Sequence, residues 1–185
     1  SDELQVGDYV MAMGSPLALS RSVTLGIVSN TERVFTGGGD EPANMEFGLG
    51  QRTGLFTRWI QHDAQIHPGN SGGPLVNLRG EIVGINELGG LAGQGFAIPA
   101  NLAREVVDAL IAHGEVVRSW VGVSLRSLKD TGLTRGALVN SVVTGSPADE
   151  AGIRAGDLIT AINGQDLTAR FGEELPPVLK RMADL

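Results

Sequence analysis

The feature that most constrains this chain is a serine enclosed by glycines, in the run Gly69-Asn70-Ser71-Gly72-Gly73-Pro74. Because glycine has no Cβ, such a run permits a tight turn that lifts the hydroxyl out of the fold and leaves room for a substrate backbone. The successive amides of Gly69, Asn70 and Ser71 can then converge on one point, as an oxyanion hole requires. The run therefore predicts a nucleophilic Ser71 with these three amides as oxyanion donors.

The run is compatible in composition with two other kinds of structure. A glycine-rich hairpin whose serine only caps a turn has the same composition. The run also contains Gly-x-Ser-x-Gly, the nucleophile elbow of α/β-hydrolases, which needs a strand before it and a helix after it. Here Pro74 and the β-type pair Leu75-Val76 follow, so the elbow interpretation fails. The run by itself leaves the plain hairpin open.

Strand-type segments rich in β-branched residues surround the serine and predict a mainly β domain. Glycine accounts for 27 of the 185 residues, which indicates many tight turns and suits an all-β barrel. A glycine-rich loop is expected over residues 87–93. The expected strands cover residues 6–13, 22–29, 59–64, 75–78, 81–86 and 94–99.

The order of short motifs around the serine resembles the HtrA family of trypsin-like serine proteases. These motifs are Asp63-Ala64, the run from Pro68 to Asn77, Val83-Gly84-Ile85-Asn86 and Gly95-Phe96-Ala97-Ile98-Pro99. The segment from Val6 to Ser29 resembles the start of the second β-barrel in that family. The resemblance implies that residues 1–100 form the C-terminal β-barrel of a trypsin-like protease domain.

Residues 31–54 carry little periodicity and many glycines, including Gly37-Gly38-Gly39, Gly48 and Gly50. A loop of this length in a compact domain is usually functional or mobile. In the resembled family, loops here and before the serine respond to regulatory peptides. A disordered insertion is the alternative, and the pattern does not separate the two.

A linker helix is expected over residues 101–119. Asn101 is a suitable N-cap, and Gly114 is a suitable terminator. Apolar residues recur at helical spacing between them, at Leu102, Val106, Val107, Leu110 and Ile111.

Residues 120–185 resemble a PDZ domain of α+β type, and the chain looks truncated before the last strands of that domain. Strands are expected over 120–125, 136–143 and 156–165. Ser146 and Pro147 predict the start of a short helix, and a second helix is expected from Glu173, with Val178, Met182 and Leu185 on one face. The resemblance implies that Trp120, Val121, Gly122 and Val123 bind the C-terminus of a peptide.

Composition excludes several classes of partner. The net charge is −7 without a basic cluster, which argues against nucleic acid. No apolar run approaches the roughly 18 residues that a membrane span needs. There is no cysteine, so disulfides and thiolate metal sites are excluded. No cofactor and no metal are expected.

A general base for Ser71 is missing from the expected arrangement. We interpret His62 as a half-exposed strand residue, His67 as a wall of the serine loop, and His113 as a residue at a helix C-terminus. A Ser-His-Asp mechanism needs a histidine and an aspartate that orients it. Asp8 lies in a strand-entry turn and is interpreted as structural. The chain is therefore expected to be a fragment that lacks the first barrel and is inactive alone.

Two functional hypotheses follow. The first is an HtrA-type endopeptidase that cleaves unfolded protein after small apolar residues. The resemblance places Ile66, Leu88, Gly89 and Phe96 in its substrate pocket, and it implies a trimer-based homo-oligomer in the periplasm. The second is a protease-like protein that binds peptides without catalysis.

Overall fold

The computed structural model describes residues 1–15, 22–36, 42–47, 51–91 and 93–185. The expected loop glycines 37–39, 48 and 50 lie outside these residues. The chain divides into two compact units: Ser1–Arg33 with Arg58–Val116, and Val34–Thr57 with Val117–Leu185.

The described elements follow one another along the chain. The strands are β1 (Tyr9–Gly14), β2 (Ser22–Arg33), β3 (Glu46–Phe47), β4 (Gln51–Arg52), β5 (Trp59–His62), β6 (Pro74–Asn77), β7 (Ile82–Leu91), β8 (Gln94–Pro99), β9 (Val123–Arg126), β10 (Ala137–Val142), β11 (Leu158–Ile159), β12 (Ala161–Ile162) and β13 (Gln165–Asp166). The α-helices are α1 (Ala100–His113), α2 (Pro147–Glu150) and α3 (Leu175–Ala183).

The first unit is built on a closed antiparallel barrel with the strand order β1-β2-β5-β8-β7-β6. Inward residues alternate with outward ones along β1, where Val10 and Ala12 are fully buried and Tyr9 is 54% exposed. The mainly β fold class is therefore confirmed. The core of the barrel consists of Val10, Ala12, Val28, Ile60, Ala64, Ile66, Leu75, Val83 and Ala97.

The expected loop over residues 87–93 is wrong for most of its length. Strand β7 continues to Leu91, because Leu88 pairs with Phe96 and Leu91 pairs with Gln94 on β8. Ladder hydrogen bonds to a neighbouring strand outweigh the weak strand propensity of glycine. The expected loop over 31–54 likewise contains the end of β2 and the short pairing of β3 with β4.

Helix α1 begins one residue earlier than expected, so Asn101 is not its N-cap. Pro99 occupies that position and makes no side-chain cap bond, and the Asn101 amide donates to the Ser1 hydroxyl oxygen at 3.4 Å. The helix ends at His113, before the expected limit of residue 119, and Gly114 terminates it as expected, with a φ of 76° and its amide donated to the Leu110 carbonyl. The apolar stripe is largely exposed in this chain, with Ile111 at 80%.

The second unit contains a three-stranded sheet in the order β11-β10-β9 and the β12–β13 pair. Ser146 caps α2 as expected, accepting a hydrogen bond from the Asp149 amide at 3.3 Å. Val178 and Met182 on α3 are buried, but Leu185 is 57% exposed. The expectation for Leu185 is wrong because α3 ends at Ala183, two residues before it.

Candidate active site

The residues before Ser71 form a closed turn. Asn70 donates its amide to the His67 carbonyl at 2.9 Å. Pro68 and Gly69 occupy the two central positions, and Gly69 has a φ of 106°. This combination is typical of a type II turn, which needs a positive φ at its third residue. The local sequence Pro-Gly thus shapes the backbone that leads into the serine.

The turn changes the predicted set of oxyanion donors. Because the Asn70 amide already bonds to His67, it is removed from that set. The amides of Gly69 and Ser71 are still predicted to be oxyanion donors. Sequence reasoning counted consecutive amides, whereas the turn uses the middle one to hold its own shape.

Close packing holds the turn against the end of β1. Ser15 donates its amide to the Gly69 carbonyl at 3.0 Å. A Cβ on Gly14 would lie 2.7 Å from Asn70 Cα, and a Cβ on Gly73 would overlap the Met13 carbonyl oxygen. Both positions therefore require glycine so that the serine loop can lie directly on the strand.

The Ser71 hydroxyl is exposed and donates a hydrogen bond to the Glu87 carbonyl oxygen at 2.9 Å. Glu87 lies at an irregularity in β7, where Asn86 pairs with Ala97 but Leu88 pairs with Phe96. One extra residue on one strand is a β-bulge, a feature often found beside active sites. Sequence reasoning missed this partner, because a backbone carbonyl leaves no residue-type signal.

The predicted pocket residues lie on neighbouring elements. Leu88 and Phe96 pair across β7 and β8, and both are buried. A Cβ on Gly89 would lie 2.5 Å from the Ile66 Cβ, so the Ile66 side chain covers the face of Gly89. The same side chain lies 2.8 Å from a Cβ built on Gly95. The structure therefore brings Ile66, Gly89, Leu88 and Phe96 to the same end of the barrel.

The interpretation of His62 as a half-exposed strand residue is wrong, because His62 is fully buried. It shares the inward face of β5 with Ile60, two residues before it, and its strand is covered on both sides by β2 and β8. Neither ring nitrogen has a hydrogen-bond partner among the described residues. Burial lowers the pKa of His62 to about 4, and the Ala64 backbone and Asp63 charge offset only part of that shift.

The neighbouring Asp63 has a structural role. Its Oδ1 accepts the Ile27 amide at 2.6 Å, and its own amide donates to the Ile27 carbonyl at 3.2 Å. A Cβ on Gly26 would overlap the Ala64 amide nitrogen, so glycine is required where β2 crosses this segment. No acidic and histidine cluster suited to a metal is present in the described part of the chain.

A cavity of about 650 Å³ lies away from Ser71, between the N-terminal segment and the β6–β7 turn. Its charged lining residues are Asp2, Glu3, Asp8, Arg79 and Glu81, and Arg79 pairs with Glu81 at 2.8 Å. None of the predicted catalytic or pocket residues lines it. The cavity is therefore separate from the candidate active site.

In the second unit, three of the predicted peptide-binding residues precede the edge strand β9, and the fourth, Val123, is its first residue. Gly122 has a φ of 86°, and a Cβ there would overlap the Ser146 side chain. The Gly122 carbonyl accepts the Val143 amide at 2.8 Å, and the Val121 carbonyl accepts the Ala148 amide at 3.0 Å. Val121 and Val123 pack on the core that holds Val178 and Met182 of α3, whereas Trp120 is 63% exposed.

Comparison with known proteins agrees with this geometry. The chain matches the family model of the trypsin-like peptidase domain over residues 1–85 and that of the PDZ domain over residues 138–174. It is 35% identical to the solved HtrA-type protease AlgW with a tripeptide, with a TM-score of 0.77 over 98% of this chain and 58% of that one. The chain is thus similar to HtrA-type proteases in sequence and in structure.

Two curated relatives carry the name "Probable periplasmic serine endoprotease DegP-like". The protein from Chlamydia trachomatis is 40% identical over 179 residues, which is 90% of this chain and 33% of that protein. The protein from Marinomonas sp. is 41% identical over 194 residues, which is 98% of this chain and 38% of that protein. The chain thus spans about a third of the length of these relatives. Among the helices in the described part of this chain, none is long and apolar enough to cross a membrane.

Proposed function

We propose that this chain supplies the nucleophile of an HtrA-type serine endopeptidase. The observation that carries the proposal is the exposed Ser71 hydroxyl directly after the Gly69 turn. Ser71 Oγ attacks the carbonyl carbon of the scissile peptide bond, and the amides of Gly69 and Ser71 stabilise the negative oxygen that forms. The proton of the Ser71 hydroxyl passes to a histidine and then to the leaving amine as the peptide C–N bond breaks.

That histidine is proposed to come from sequence outside this chain. His62 is buried in the barrel, and the His67 carbonyl is part of the turn itself. His113 lies at the end of α1. We therefore expect the 185-residue chain alone to be inactive, and the longer HtrA protein to be active.

The preferred residue before the cleaved bond is proposed to be small or branched and apolar. Ile66 covers Gly89, which limits the depth available to a substrate side chain. Gln65 stands six residues before Ser71, where an acidic residue would favour lysine or arginine. The unfolded proteins that we expect as substrates expose such apolar residues.

The second unit is proposed to bind the C-termini of peptides. The order β11-β10-β9 leaves β9 at the edge of its sheet, beside the positive-φ turn at Gly122. A peptide can add a strand to such an edge while backbone amides hold its carboxylate. We also propose a periplasmic location and a trimer-based assembly for the full-length protein, the first in line with the names of the relatives.

The test compares peptide hydrolysis by the full-length protein, its Ser71→Ala variant and the isolated chain. We expect Ser71→Ala to reduce turnover by about 10⁴-fold or more, while stability changes by less than about 0.5 kcal/mol because the side chain is exposed. Ser29→Ala, another exposed serine of the barrel unit, is the control and should keep full activity. Turnover that survives in Ser71→Ala would contradict the proposal that Ser71 is the nucleophile.

A further inference from the structure

One residue outside the serine loop contacts three consecutive residues that follow Ser71. The Asn86 carbonyl accepts the Gly72 amide at 2.8 Å, and the Asn86 amide donates to the Gly73 carbonyl at 2.9 Å. The Asn86 side chain adds a third bond, from Nδ2 to the Pro74 carbonyl at 3.0 Å. The two backbone bonds are open to any non-proline residue, whereas the third requires a side-chain donor.

The same residue sets the resting partner of the nucleophile. The β-bulge begins directly after Asn86, and the bulge residue Glu87 carries the carbonyl that accepts Ser71 Oγ. Asn86 thus holds the backbone that follows Ser71, and the adjacent Glu87 holds the Ser71 hydroxyl. A shift of Asn86 would move both groups together.

The surroundings leave the loop little freedom to compensate. Asn86 is fully buried, and Gly73 lies so close to the Met13 carbonyl that a Cβ there would overlap it. The loop is therefore confined between β1 on one side and Asn86 of β7 on the other. Displacement of a nucleophile by about 1 Å can lower a rate by about 100-fold.

We propose that Asn86 is a positioning residue for Ser71, which acts through its Nδ2 bond to Pro74 and through the bulge at Glu87. The proposal rests on the proposed endopeptidase function. It assigns to Asn86 an effect on the chemical step rather than on substrate binding. Weakening this bond is therefore expected to lower kcat and to leave KM nearly unchanged.

The same hairpin supplies a matched control. Asn77 is also a buried asparagine, at the opposite end of β6. Its Oδ1 accepts the amides of Arg79 and Glu81, both at 3.0 Å, and its Nδ2 donates to Glu81 Oε2 at 2.6 Å. These three bonds hold the hairpin turn and do not involve the serine loop. A purely structural asparagine should therefore behave like Asn77.

The test measures kcat and KM for a chromogenic peptide in the full-length protein and in its Asn86→Asp and Asn77→Asp variants. Asn86→Asp keeps the shape of the side chain. Because Asn86 Oδ1 accepts no hydrogen bond from the described residues, the substitution chiefly alters the bond from Nδ2 to the Pro74 carbonyl. We expect kcat to fall about 10-fold or more with KM within about 2-fold, whereas Asn77→Asp keeps both parameters in its folded form.

A pH series keeps the test informative if Asn86→Asp folds poorly at neutral pH. Protonation of the new carboxyl restores a donor to the Pro74 carbonyl, so kcat relative to wild type should recover as the pH falls. Wild-type kcat in folded Asn86→Asp, or an equal loss of kcat in Asn77→Asp, would overturn the positioning role. Absence of Ser71-dependent turnover in the wild type would instead overturn the proposed function.

Discussion

Two glycine turns of this chain use the same backbone device for different ends. Gly69 and Gly122 both have a positive φ, 106° and 86°, and both precede a segment whose backbone amides are proposed to meet a substrate group. The Gly69 turn is closed by a local bond between residues 67 and 70. The Gly122 turn is instead held by one hydrogen bond to Val143 and by contact with Ser146, which are distant in sequence. The first turn is thus encoded locally, and the second depends on its unit being folded.

The contact with Ser146 predicts that the Gly122 turn is sensitive to an added methyl group. Gly122→Ala combines a positive φ with overlap on Ser146, and we expect a loss of about 2–5 kcal/mol in the stability of its unit. Gly152→Ala is the control: its φ of 83° is similar, but nothing lies within 4 Å of the new Cβ. That variant should lose only about 1–2 kcal/mol.

The measurement is urea unfolding followed by tryptophan fluorescence. Trp59 belongs to the barrel unit and Trp120 to the second unit, so a Trp59→Phe background reports the second unit alone. Equal losses in the two alanine variants would show that contact with Ser146 does not hold the turn.

A pH series should separate the two units next. The folded pKa of His62 is about 4, below its ordinary 6.5, because burial disfavours the charged ring. Between these two pH values, His62 is therefore protonated in the unfolded chain but neutral in the folded barrel. Stability of the barrel unit should fall as the pH drops from about 6.5 to about 4, by up to about 3 kcal/mol from this group.

Replacing His62 with glutamine should remove this part of the pH dependence as followed by Trp59 fluorescence. His113→Gln, at the end of α1, should keep the wild-type slope. All three histidines lie in the barrel unit, so the second unit should lack a histidine-dependent fall. Parallel curves for wild type and His62→Gln would contradict the pKa assigned to His62.

The smallest expected effect concerns capture of a carboxylate at the Gly122 turn. A peptide ending in valine should bind at least about 10-fold more tightly than the same peptide with an amidated C-terminus, since the amide removes the charge that the backbone amides hold. Fluorescence titration of labelled peptides against the full-length protein measures the difference. Equal affinities would remove this role from residues 120–123 and leave the Gly122 turn as a structural feature only.

Local chemistry made several features predictable. Pro68-Gly69 encodes the turn before Ser71, Ser146-Pro147 starts α2, and Gly114 ends α1. In each case the deciding interaction joins residues a few positions apart, so the signal lies within one short window. The mainly β class followed in the same way from the residue types of the strands.

The sequence by itself therefore determined the turn before Ser71, the Ser146 cap of α2 and the end of α1 at Gly114, and it singled out Ser71 as the proposed nucleophile. Tertiary structure decided the burial of His62, the length of β7 and the contact of Ser71 with Glu87. It also decided which amide of residues 69–71 is used within the turn. Each of these depends on which strand lies beside another, and pairing partners are set by the burial and hydrogen bonding of the whole barrel rather than by neighbouring residues.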